Sequence, residues 1–186
     1  MLALEECSSL VLNADYRPLT TFPLSRYSWR ESIEELLAEK VVVVAEHDRF
    51  VRSEKLAIPI PSVVALRTYV DQNRPAPLTR LGVFIRDRFC CSYCNGNFSA
   101  AGLTFDHIIP RSKLNVTSWT NITAACHECN ARKGNRSLAQ LGWSLRRPAF
   151  HPTVAQLNAI GATLMMPMNI HASWRDYLYW TVPLEP

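Results

Sequence analysis

Four cysteines and one acidic–basic pair mark where this sequence can do chemistry. Cys91-Ser-Tyr-Cys94 and Cys126-His-Glu-Cys129 each hold two residues between their thiols. At that spacing a turn can bring two sulfurs to one tetrahedral ion at about 2.3 Å. In LTFDHIIP, residues 103–110, Asp106 and His107 stand side by side in a run that otherwise reads as a buried strand. Charge is costly there unless it is paired or takes part in a reaction. Asn121 follows, then Asn130 directly after the last cysteine, then Lys133 one helical turn further on. Hydrolysing a phosphodiester requires an oxygen-ligated cation, a base for water and something to orient that base. Asp106 and the amide oxygen of Asn130 are hard donors suited to Mg²⁺ or Mn²⁺. His107, with an ordinary pKa of about 6.5, can be neutral at working pH and accept a proton. Asn121 can hold its ring, and Lys133, Arg132, Arg111 and Arg136 are candidates to meet phosphate.

The cysteines admit three readings: a pair of disulfides, a redox CxxC, or one Cys₄ zinc site. An intracellular chain disfavours the first and the duplication disfavours the second. Zinc is the expectation, held by Cys91, Cys94, Cys126 and Cys129. The 31 residues between the pairs exceed the about 15–20 of a simple ribbon and contain Asp106, His107 and Asn121. Zinc would therefore clamp both ends of the chemically loaded segment and replace much of the core that a small unit lacks. Cys90 offers an alternative register, Cys7 reads as a small buried thiol, and His127 as an exposed bystander between two ligands. His47, His151 and His171 read as structural or solvent-facing, and the five tryptophans as core.

Charge and composition narrow the partner. With 48% hydrophobic and 19% charged residues the chain is globular. Residues 80–150 hold 10 Lys/Arg against 3 Asp/Glu, net +7, although the whole chain is only +4. A basic field around the loaded segment suggests a polyanionic partner. Glutamates stand where a signal peptide would be basic, and no apolar run reaches the about 18 residues of a membrane helix. The expectation is a soluble, cytoplasmic protein without a membrane partner, monomer or homodimer left open.

The elements that must position these residues are partly legible. SLVLNADYRPLT (9–20) reads as a strand entering a turn, and SWRESIEELLAEK (28–40) as a helix with Ile33, Leu36 and Leu37 on one face. VVVVAEHDRFVRS (41–53) reads as a hairpin turning at His47-Asp48. PSVVALRTYV (61–70) suits helix or strand, and the proline-bearing DQNRPAPLT (71–79) marks a boundary. TNITAACHECNARKGN reads as a strand turning into a helix that Gly134 ends, and SLAQLGW as one more helical turn. Asp106 and His107 point to opposite faces of a regular strand, so sharing a site requires an irregular end, which Pro110 suggests.

FCCSYC, LTFDHIIPRS, TNITAACHECNARKGN and LAQLGW together resemble the zinc-stabilised HNH endonucleases and their ββα-metal motif. LVLNADYRPL, PSVVALRTYV and the closing WRDYLYW are similar to bacterial HNH proteins of this length. The resemblance implies an α+β fold with an N-terminal strand–helix–hairpin subdomain (1–76), a ββα-metal nuclease module (77–150) and a C-terminal tail packing back (151–186). It implies His107 as general base, Asn121 as the residue orienting it, Asp106 and Asn130 as ligands of a catalytic Mg²⁺ or Mn²⁺, and Lys133 in the site. The implied reaction is water attack on a DNA phosphodiester, nicking or double-strand, leaving 3′-hydroxyl and 5′-phosphate ends. Cys90 stands where a polar or basic residue is usual, and the loop after Arg111 lacks the common Gly-Gly. The competing expectation is a zinc-ribbon nucleic-acid-binding module without hydrolysis, which leaves Asp106, His107, Asn121 and Asn130 unexplained.

Overall fold

The structure, a computed structural model, describes residues 6–52, 56–164 and 170–178. The chain divides between Asp71 and Gln72, and again between Leu164 and Met165, into two compact units.

The first unit is built on a four-stranded sheet in the order β2-β1-β4-β3. β1 (Ser8–Leu12) runs parallel to β4 (Ala57–Leu66) and antiparallel to β2 (Arg26–Ser28). One face of β1 and β4 buries Leu10, Leu12, Val63 and Ala65 against Trp174, whose indole donates to the Ser62 carbonyl at 2.6 Å. The other buries Val11, Val41 and Val64 against Leu36 of α1 (Trp29–Leu37). Ser28 and Glu31 close a reciprocal capping box on α1, satisfying donors that a helix start leaves open. Its buried position is Ser32, bonded to Ser9 at 2.7 Å, whereas Leu37, expected on the apolar face, is exposed. The expected hairpin at His47-Asp48 does not form. β3 (Val41–Arg52) runs through both residues as one strand paired with β4, with register irregularities between Val43 and Phe50. His47 is buried there, its Nε2 3.0 Å from the Ser8 carbonyl, which a solvent-facing turn residue would not be. β4 settles residues 61–66 of PSVVALRTYV as strand, and residues 67–70 leave it. A short 3-10 turn, Ala172–Trp174, leads into α6 (Arg175–Leu178); Trp180 and the rest of the closing segment lie outside the described residues.

The second unit begins with α2 (Arg80–Arg86), capped by Thr79. β5 (Leu103–His107) and β6 (Ile122–Cys126) pair antiparallel, and α3 (His127–Lys133) follows β6 without a break, because Cys126 is itself the N-cap. Gly134, at φ 51°, ends α3 in a backbone region that residues with a Cβ disfavour. α4 (Leu138–Leu141) and α5 (Val154–Ala162) complete the unit, so residues 151–164 belong to it rather than to a separate tail. Val83, Phe84, Leu103, Trp119 and Ile122 form its core, with Val154 and Leu157 of α5 packed on it.

Through that core runs a buried polar spine. Arg86 places two nitrogens on the Asp87 carboxylate at 2.8 and 3.0 Å and donates to the carbonyls of Trp119 and Ile122. Asp87 accepts from the Ala124 amide at 2.7 Å, and Thr123 links on to Ser92 inside the first cysteine pair. A buried ion pair stripped of one partner typically costs about 3–5 kcal/mol, so this pair fixes where α2 and β6 meet.

Candidate active site and zinc cluster

The sulfurs of Cys91, Cys94, Cys126 and Cys129 all lie within 4.8 Å of one another. A tetrahedron of about 2.3 Å bonds has edges of about 3.8 Å, so the four thiols fit one zinc ion. They do so because Cys91–Cys94 form a turn whose Cys91 amide bonds back to Gly96 and whose Asn95 adopts φ 62°, while Cys126 and Cys129 occupy the first turn of α3. Burial, aided by the neighbouring thiols, pushes Cys126 and Cys129 above the usual thiol range. At Cys91 burial acts in the same direction, but backbone hydrogen bonds at Cys94, Cys126 and Tyr93 outweigh it and lower the thiol. Loading zinc must therefore release protons from the α3 pair. His127 stays out of the cluster, exposed, with its Nε2 3.2 Å from the Ala101 carbonyl.

The ladder between β5 and β6 stays regular to its last pair, His107 opposite Ile122. Asp106 and His107 therefore obey strand alternation: the irregular end expected from Pro110 does not form, and what links the two residues is Lys133 instead. Asp106 is buried, and its Oδ2 receives two donors: the Tyr93 hydroxyl at 2.5 Å and Lys133 Nζ at 2.9 Å. Among the described residues no donor meets Oδ1. Lys133 Nζ also donates to the His107 backbone carbonyl at 2.7 Å, so one buried ammonium joins both residues to the end of α3. This corrects one expectation. Lys133 is fully buried and does not face phosphate, because its charge is consumed by Asp106 and by the last carbonyl of β5.

The His107 ring is half-buried, with Nε2 3.0 Å from Thr117 Oγ1. Burial lowers its pKa below the ordinary histidine value; the positive Arg111 adds to this and Asp106 opposes it. The ring is neutral at pH 7. Asn121 is buried, but its amide does not touch that ring. It accepts from the Ile109 amide at 2.9 Å and donates to the Val116 carbonyl at 2.7 Å, pinning the start of the β5–β6 loop and the residue just before Thr117. Its expected orienting role is thus indirect, since the contact with the ring is made by Thr117. Asn130 is half-buried on α3, three residues from Lys133 and so on the same side.

Of the other basic candidates, Arg111 and Arg132 are exposed, and the exposed Arg136 folds its guanidinium onto the Arg132 and Lys133 carbonyls at the end of α3. Sequence reasoning missed Tyr93 and Thr117. Tyr93 could have been suspected from its place between two zinc ligands; nothing near Thr117 signals its contact ten residues back.

An antiparallel β-hairpin leading into a helix, with a cysteine cluster at its base and an Asp–His pair at its strand end, defines a zinc-stabilised ββα unit. Residues 91–145 match the HNH endonuclease family and residues 9–74 the HNH endonuclease-associated N-terminal domain. Residues 91–145 thus belong to the HNH endonuclease family, and residues 9–74 to the N-terminal domain associated with it. The chain is also similar to the CRISPR-associated endonuclease Cas9 of Corynebacterium diphtheriae, 35% identical over 71 residues. That stretch is 37% of this chain and 6% of the Cas9 protein, so the chain spans a small fraction of that relative's length.

Proposed function

We propose that this protein is a divalent-metal-dependent endonuclease that hydrolyses DNA phosphodiester bonds with His107 as general base. What carries the reading is the His107 ring: half-buried, neutral at pH 7, and fixed at one nitrogen by Thr117 while the other has no partner among the described residues. A neutral imidazole that donates from Nε2 to the Thr117 hydroxyl keeps its lone pair on Nδ1. Nδ1 is then the atom that takes the proton of an attacking water. As that proton moves to Nδ1, the water oxygen bonds to phosphorus and the P–O3′ bond breaks. The ends left are a 5′-phosphate and a 3′-hydroxyl, the latter protonated from solvent.

The residues present fit a hard cation. Asp106 offers Oδ1, and Asn130 offers an amide oxygen from the α3 side that Lys133 ties to Asp106 and to the His107 carbonyl. Bound Mg²⁺ or Mn²⁺ would supply Lewis acidity toward the phosphoryl and leaving oxygens. Arg111, exposed and close enough to act electrostatically on His107, is suited to hold the strand by a phosphate. Tyr93 and Lys133 keep the carboxylate from rotating, and Asn121 fixes the loop that presents Thr117.

The test is cleavage of supercoiled plasmid with Mg²⁺ or Mn²⁺. Wild-type protein is expected to nick or cut, and chelator to stop it. His107→Ala should lose at least about a hundredfold in rate, the usual contribution of a positioned base, with zinc content unchanged. Wild-type rates in that variant would remove His107 from the reaction; DNA binding without any cleavage by wild-type protein would leave a binding module only.

A further inference from the structure

Beside the cysteine cluster lies a cavity of about 240 Å³ lined by Tyr93, Cys94, Cys129, Arg132, Trp143 and Arg146, among others. We propose that this cavity is a subsite for one phosphodiester of the cut strand away from the scissile bond. The inference rests on the nuclease reading above.

Three observations carry it. The cavity has two guanidinium groups and no carboxylate among its lining residues. Neither Arg132 nor Arg146 enters an ion pair among the described residues, so both forks keep donors suited to phosphate oxygens. Arg132 lies over the Trp143 ring, 5.5 Å from its centroid, which is itself packed against Tyr93. Resting on an aromatic face steers a guanidinium without occupying its N–H groups. The third observation is size. The volume lies below the about 300 Å³ at which pockets for whole small molecules begin, and suits one phosphate group with some water.

Cys129 and Arg132 lie within one turn of Asn130 and Lys133, so the cavity and the candidate reaction centre share α3. The arginines have one competing task. A Cys₄ zinc centre carries four thiolate charges against two on the ion, and nearby cations would offset the excess.

The experiment uses intact, zinc-loaded protein and a short duplex with one mapped cut. Ca²⁺ replaces Mg²⁺, and affinity is measured across salt concentrations. A single neutral methylphosphonate is placed at each of the first four linkages on either side of the cut. One position is expected to weaken wild-type binding about tenfold and to leave R132Q/R146Q unaffected, while the salt slope of that variant falls by about 0.9. R146Q alone should show a smaller change of the same sign if the double variant loses zinc. A wild-type protein indifferent to every substitution, or a variant with an unchanged slope, overturns the subsite while leaving the nuclease reading intact. Zinc loss in R146Q with that same indifference assigns the arginines to the metal. A wild-type protein that neither binds nor cuts DNA overturns both readings.

Discussion

At the scale of single residues, the telling choice is that two donors meet the same oxygen. Tyr93 and Lys133 both end on Asp106 Oδ2, which leaves Oδ1 open and stops the carboxylate from turning. Burial, then the hydrogen bond to Asp106 and after it the Asp106 charge, hold the Tyr93 phenol far above its usual pKa, so it remains a donor throughout the working pH range. Tyr93 also sits between two zinc ligands, so the turn that grips zinc is the turn that aims the carboxylate. A hydrogen bond to a charged group contributes about 1.5–3 kcal/mol. Tyr93→Phe is therefore expected to keep its zinc and its fold while Mn²⁺ affinity, read by electron paramagnetic resonance or calorimetry, falls by about tenfold. Equal Mn²⁺ affinity in variant and wild type would reduce Tyr93 to packing.

At the scale of elements, some of this architecture could be read from sequence and some could not, for identifiable reasons. The helix at 29–37 was legible from the spacing of Ile33 and Leu36, and α3 from a cysteine pair followed by Gly134, because such patterns act through neighbouring residues. The four zinc ligands and the Asp–His pair were legible for the same reason. β3 was misread as a hairpin because its partner, β4, was not evident and His47 resembled a turn residue. Lys133 was misread because its partners lie 26 and 27 residues upstream, beyond any local pattern. Distance likewise hid the ring contact in which His47 and His171 lie 4.5 Å apart. His171 accepts the Ser173 amide at Nδ1, which requires a lone pair there. Burial, and after it His47, lower the pKa of His171 in the fold. The unfolded chain, with a pKa near about 6.5, then binds a proton that the fold refuses. Stability from this contact is complete above about pH 6.5 and is lost as pH falls below it. The thermal midpoint of the first unit should drop from pH 7.5 to pH 5.5, and drop less in His171→Gln. Identical pH responses in the two proteins would exclude His171 as a source.

At the scale of the whole molecule, the two units are held by different means. The first has two apolar clusters on opposite faces of a four-stranded sheet. The second has one apolar cluster, a buried ion pair, and a third group of side chains gathered around the cysteines themselves. No helix among the described residues is long and apolar enough to cross a membrane. Structural zinc contributes about 10–16 kcal/mol of apparent binding energy in small domains, as much as the about 5–15 kcal/mol net stability of a whole one. Zinc is then expected to decide whether the second unit is folded, whereas the described residues of the first unit hold no cluster of metal-ligating side chains. Stripping zinc from the full chain with a strong chelator should abolish amide protection in β5, β6 and α3 while β1 and β4 stay protected in hydrogen exchange. Adding Mg²⁺ alone should restore neither protection nor cleavage, because a hard cation does not replace zinc among four thiolates; adding Zn²⁺ should restore protection, and Zn²⁺ with Mg²⁺ both. If β5 and β6 keep their protection after zinc has been removed, the cysteine cluster is not what holds Asp106 and His107 in place.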